Sequence, residues 1–129
     1  MRDYQRVKKN KYKLPRSVYN RVLWTIRDYN RMKDEVNSLV EISAINLSGM
    51  PRGGGISDQV SNIVIKRCEL TKYIEVIDEA INGVPDEYKD GVWNNIQYNK
   101  SYPPYASGRT YARYKAKFIH EVANKLNYI

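Results

Sequence analysis

Cysteine is almost missing from this 129-residue chain: Cys68 stands alone, so no disulfide can close within it. That fits a reducing interior, and the expected location is the cytoplasm. Long apolar runs are missing too. No stretch approaches the roughly 20 apolar residues that span a bilayer, and the first residues carry no apolar signal core, so neither export nor a membrane partner is expected. Catalytic patterns are also lacking. His120 has no second histidine at ligand spacing, Cys68 has no cysteine partner, and no serine sits in a nucleophile context. The glycines of Gly53-Gly54-Gly55 lack the Gly-Lys-Ser/Thr and the preceding strand of a phosphate cradle. Asp86, Glu87 and Asp90 read as acids favoured at a helix N-terminus, not as a metal site. The expectation is therefore a protein that is not an enzyme and has no metal or cofactor. No strand pattern of any length occurs, which makes the class all-α.

Positive charge is abundant. Lys and Arg number 22 against 14 Asp and Glu, a formal net charge of +8 with a pI near 9.5, and such a surface favours a polyanionic partner. Residues 1–21 hold Arg2, Arg6, Lys8, Lys9, Lys11, Lys13, Arg16 and Arg21 against Asp3 alone. Residues 1–15, closed by Pro15, read as a basic arm whose Lys8, Lys9, Lys11 and Lys13 are candidate phosphate contacts.

The pattern then turns helical. Val18, Val22, Ile26, Tyr29, Met32, Val36, Leu39 and Val40 step by three or four, which predicts one long helix over 17–44, with Leu23 and Trp24 widening its apolar face. Residues 46–55 break it with glycines and Pro51, a connector in which Arg52 is a candidate partner contact. Val60, Ile63, Arg67, Leu70, Ile74, Ile77 and Ile81 predict a second helix over 57–82 with a heptad-like seam, where Arg67 must snorkel out or meet an acid such as Glu35 or Glu41. Residues 16–83 are thus expected to form a long antiparallel hairpin, and the seam is compatible with a homodimer. Pro85, Asp86 and Glu87 open a third helix to about Tyr98, with Tyr88, Val92, Trp93 and Ile96 on its apolar side and Gly91 allowing close approach.

The last helix, 108–126, has the sharpest pattern. Tyr111, Tyr114, Phe118, Val122 and Leu126 form its apolar face behind the capping residue Ser107. Arg113, Lys117, His120 and Asn124 form an opposite stripe that Arg109 and Thr110 extend towards the N-terminus. A helix whose first turns carry Arg and hydroxyl groups, with a docking face behind, suits a DNA major groove; Arg109, Thr110, Arg113 and Lys117 are the candidate contacts to double-stranded DNA. The tyrosines Tyr98, Tyr102, Tyr105, Tyr111 and Tyr114 also permit stacking on unpaired bases, although core packing is the plainer reading.

The blocks Ile26-Arg27-Asp28-Tyr29-Asn30-Arg31-Met32-Lys33, Gly49-Met50-Pro51-Arg52-Gly53, Val84-Pro85-Asp86-Glu87-Tyr88, Gly91-Val92-Trp93-Asn94-Asn95-Ile96 and Arg109-Thr110-Tyr111-Ala112-Arg113-Tyr114-Lys115-Ala116-Lys117-Phe118 resemble a family of small Firmicute phage and prophage proteins. These are the RinA- and ArpU-like late transcription regulators. The resemblance runs from about Arg21 to near the end and is most specific in its final block. It implies a helical arm followed, in residues 84–129, by a helix-turn-helix similar to region 4 of sigma factors. It further implies action on phage late promoters in a bacterial host, beside the host RNA polymerase, with Arg109, Thr110, Arg113 and Lys117 in the recognition role. The short, Pro103-Pro104-containing stretch 99–108 departs from that pattern, which places a full short helix there. Two other classes fit the same residues: a structural or DNA-packaging oligomer like a small terminase subunit, and a protein-binding inhibitor or adaptor of a host machine.

Overall fold

The structure is a computed structural model that describes residues 11–49, 58–104 and 106–129, with the side chains of 11–41, 61–104 and 106–129. Its elements are α1 (Arg16–Arg27), α2 (Tyr29–Gly49), α3 (Asp58–Asn82), α4 (Asp86–Tyr98) and α5 (Gly108–Lys125), with no strand among the described residues. The all-α expectation holds. The chain divides into two compact units: residues 28–75 in one, residues 1–27 and 76–129 in the other.

The second of these is built on α1, α4 and α5, which pack against one another in every pairing. Tyr19, Val22, Leu23 and Ile26 follow the three-and-four spacing of a single helix face and are all buried. Against them lie Val92 and Ile96 of α4, and Tyr111, Phe118, Ile119, Val122 and Ala123 of α5. Ile77 and Ala80 from the end of α3 complete this core. The helix starts follow capping chemistry. The Pro15 carbonyl accepts from the Tyr19 amide, and the Pro85 carbonyl accepts from the amides of Tyr88 and Lys89, each proline standing where its missing N–H costs nothing. Asn99, at φ 54°, ends α4 in the left-handed conformation that Asn tolerates.

Gly91 is needed for a close approach. A Cβ there would lie 2.5 Å from Cε1 of Tyr111 and 3.0 Å from Cδ of Pro103, so only a glycine lets that ring and that linker residue lie against α4. The ring is part of a cluster: Tyr102 stacks on Tyr111 with centroids 4.8 Å apart, Tyr88 meets Tyr111 edge-on at 5.3 Å, and Tyr114 stacks on Tyr88 at 5.0 Å.

In residues 28–75 few of the described side chains are buried. Met32, Leu39 and Leu70 are the buried apolar side chains among its described residues, and Val40, Val64 and Ile65 are exposed. Glu35 of α2 meets Lys66 of α3 at 2.6 Å and Arg31 of its own helix at 2.6 Å. The hydrogen bond from Lys66, helped by the two positive charges, holds the Glu35 carboxyl below the ordinary carboxylate range.

Two expectations are corrected. The single helix over 17–44 is two helices, interrupted at Asp28. Its interruption has long-range causes: the Gln97 side chain donates to the Ile26 carbonyl and Arg27 Nε donates to the Ile96 carbonyl, so groups at the end of α1 are taken up by α4. Asp28 then starts α2, its carbonyl accepting from the Met32 amide and its carboxylate gripped by Arg31 at 2.6 Å. Trp24 does not widen the buried face; it is 65% exposed, because a residue directly after Leu23 lies about 100° round the helix. Arg67 is exposed, the first of the two outcomes expected for it, while Lys66, one residue earlier, is the partner of Glu35. The connector around Arg52 lies outside the described residues.

Candidate nucleic-acid interface

Ser107 caps α5, its Oγ accepting from the Arg109 amide at 3.1 Å while its carbonyl accepts from the amides of Thr110 and Tyr111. Ser107, Gly108 and Arg109 are exposed, and a Cβ on Gly108 would meet nothing within 4 Å. The start of α5 is therefore exposed at Ser107, Gly108 and Arg109, while Tyr111, at the end of the first turn, is fully buried. Behind it, the helix is anchored by the wide buried face that runs from Tyr111 to Leu126.

Arg109 and Arg113 are exposed, Thr110 and Lys117 half-buried, and the guanidinium of Arg113 lies over the Tyr114 ring at 5.4 Å. His120 and Asn124 continue the stripe, His120 half-buried and Asn124 exposed. The one acid of α5, Glu121, does not interrupt it: its Oε2 lies 3.5 Å from where a Cβ on Gly83 would sit, at the turn between α3 and α4.

The arm reaches the same helix. The rings of Tyr12 and His120 lie 5.5 Å apart, and Lys11 Nζ sits 5.1 Å from the centre of the Tyr12 ring. Lys11 is thereby brought near His120 of α5, and both Lys11 and Lys13 are exposed. The structure thus brings together Arg109, Thr110, Arg113, Lys117, Lys11 and Lys13 in one unit, while Lys8 and Lys9 lie outside the described residues. The Tyr12 contact has no sequence signal, because nothing in local spacing pairs residues so far apart in the chain.

Lys115 belongs to a different role. It is buried among the apolar residues of α5 and donates to Asn95 Oδ1 at 2.9 Å, while Asn95 Nδ2 donates to the Lys100 carbonyl at 2.9 Å. This chain of bonds fixes the start of the linker 99–107. Its position was legible: Lys115 falls four residues after Tyr111 and three before Phe118, inside the apolar face. The tyrosine faces proposed for bases are largely spent on one another, since Tyr102, Tyr111 and Tyr114 all stack within the cluster; Tyr98 is 57% exposed with Lys100 Nζ 5.6 Å from its ring centre, and Tyr105 lies outside the described residues. Among the described residues no helix is long and apolar enough to cross a membrane, and no cluster of His, Cys, Asp and Glu is arranged to hold a metal ion. Comparison with protein-family models, curated proteins and solved structures gives no match.

Proposed function

We propose that this protein is a phage- or prophage-encoded DNA-binding regulator of late transcription, acting in the cytoplasm of its bacterial host and reading duplex DNA with α5. One observation carries the reading. The stripe of α5 runs without an acid from the exposed Arg109 through Arg113 and Lys117 to His120, where Tyr12 brings Lys11. Phosphate contacts supply affinity to every sequence, and base contacts supply it to one. The arm lysines suit the first task, and Arg109, Thr110 and Arg113 at the start of α5 suit the second. In this reading α4 and α5 act as the helix-turn-helix pair, joined by a linker, 99–107, longer than the three or four residues of a tight motif. The promoter context and any contact with the host RNA polymerase rest on the family resemblance alone.

The test separates the two kinds of positive charge. A duplex selected from a random pool and a scrambled duplex are titrated at several salt concentrations. Arg113→Ala should lose about 1–3 kcal/mol on the selected duplex and much less on the scrambled one. The triple variant Lys8→Ala/Lys9→Ala/Lys11→Ala should weaken both alike and flatten the slope of log affinity against log salt by up to about 3. If Arg113→Ala behaves as the triple variant does, α5 is only an electrostatic surface; if the wild type binds no duplex at low salt, the proposal fails. A packaging subunit is the second reading, favoured by the exposed Val40, Val64 and Ile65, and a ring of many subunits in solution would select it.

A further inference from the structure

Among the described residues of 28–75, one face of α3 is largely exposed. Val64, Arg67, Cys68, Thr71, Lys72 and Glu75 line a groove of about 430 Å³ along that helix. Their spacing of three and four puts them on one side, and all but the half-buried Thr71 are exposed, Val64 by 49%. A neighbouring side of α3 is already used: Leu70 is buried and Lys66 holds Glu35 of α2. Helices draw their stability chiefly from packing, and among the described side chains of residues 28–75 the buried apolar ones are Met32, Leu39 and Leu70.

We propose that this face of α3 pairs with the same face of a second copy of the chain, antiparallel about a two-fold axis through Thr71. The charges select both the partner and the direction. Arg67 and Glu75 stand four residues to either side of Thr71. An antiparallel two-fold there sets Arg67 of each copy against Glu75 of the other, two ion pairs from one contact. Parallel pairing in register would instead oppose Arg67 to Arg67 and Glu75 to Glu75, while Lys72, one residue from the axis, lies near its own copy in either arrangement and does not select between them. A polyanion is a poor occupant, because Glu75 lies in the groove and Val64 and Cys68 make part of its wall apolar. The contact is separate from the stripe on α5 and does not depend on DNA binding.

Sedimentation equilibrium of the full chain, without DNA, tests it from micromolar concentrations upward. The wild type should be a dimer. Arg67→Glu or Glu75→Arg alone should raise the dimer dissociation constant by roughly tenfold or more, because two symmetric contacts turn from attraction to repulsion. The double reversal Arg67→Glu/Glu75→Arg should restore dimerisation, a recovery that a merely unfolded variant would not show. Thr71→Cys in a Cys68→Ser background should form an intermolecular disulfide under mild oxidation, whereas the wild-type Cys68 should not, since the axis sets the two Cys68 residues apart along the helices. A wild type that is monomeric at every concentration overturns the proposal. So does a dimer that the double reversal leaves dissociated, or an assembly larger than two.

Discussion

Residues 76–82 and residues 58–75 belong to one continuous helix, yet they live differently. Ile77 is fully buried in the unit built on α1, α4 and α5, while Ile74, one turn earlier and on the same side of α3, is only half-buried. The apolar periodicity is equally good on both sides of that boundary. Periodicity states that a face wants cover; it does not state that the same chain supplies it. The three-helix unit finds its cover internally, and residues 28–75 leave Val40, Val64 and Ile65 in solvent.

The largest effect expected from this contrast lies at Phe118, which is 1% exposed and tilted against Trp93 at 6.5 Å. Phe118→Ala should cost about 3–5 kcal/mol in chemical denaturation. An equal loss from Leu39→Ala would erase the contrast between the units. The next comparison is within α3: Ile77→Ala should cost about 2–5 kcal/mol and Ile74→Ala clearly less, on the order of 1 kcal/mol. If the two losses match at a concentration where the protein is monomeric, the boundary between the units has no energetic meaning.

Gly91→Ala should cost about 1–3 kcal/mol, because the added methyl collides with the Tyr111 ring and with Pro103. Amide exchange should then show lost protection in α4 and α5 and unchanged protection in α2; uniform loss would mean the whole chain opens as one body. Ser107→Ala should cost about 1 kcal/mol by releasing the Arg109 amide from its cap. Its sharper readout is duplex binding, which should fall along with the order of the first turn of α5 if that turn meets the DNA.

The smallest effect is a pH dependence confined to residues 28–75. Glu35 has a carboxyl held below its ordinary value of 4.5, foremost by the hydrogen bond from Lys66. A lowered folded value means that the pair contributes stability above about pH 4.5, and that the contribution disappears as pH falls through the lowered value. Amide protection around Glu35 and Lys66 should therefore decline in acid before that around Phe118. Protection that stays level there would show the ion pair contributes nothing.

Much of α5 was legible in the sequence, because its cap, its apolar spacing and its cationic stripe are all local patterns; Ser107, Phe118 and Arg113 stand in the relations that spacing alone gives. What escaped was what distant residues decide. The break at Asp28 has no proline or glycine to mark it and follows from Gln97 and Arg27 bonding across to neighbouring helix ends. The seating of Tyr12 on His120 is likewise tertiary. The pairing of Lys66 with Glu35 is tertiary too, while Arg67 takes the outward course that its place in the heptad pattern left open.

The linker 99–107 lacks helical structure among its described residues, yet four of those residues are tied down. Asn95 holds the Lys100 carbonyl, Tyr102 lies on Tyr111, Pro103 fills the space over Gly91, and Ser107 closes the next helix. Irregular backbone so fastened has little conformational freedom left to lose. The exposed start of α5 is therefore ordered in advance, and association of any ligand there would forfeit little chain entropy. The same fastening should make this stretch resist proteases that cleave ordinary surface loops, and should make it intolerant of inserted residues that ordinary loops accept.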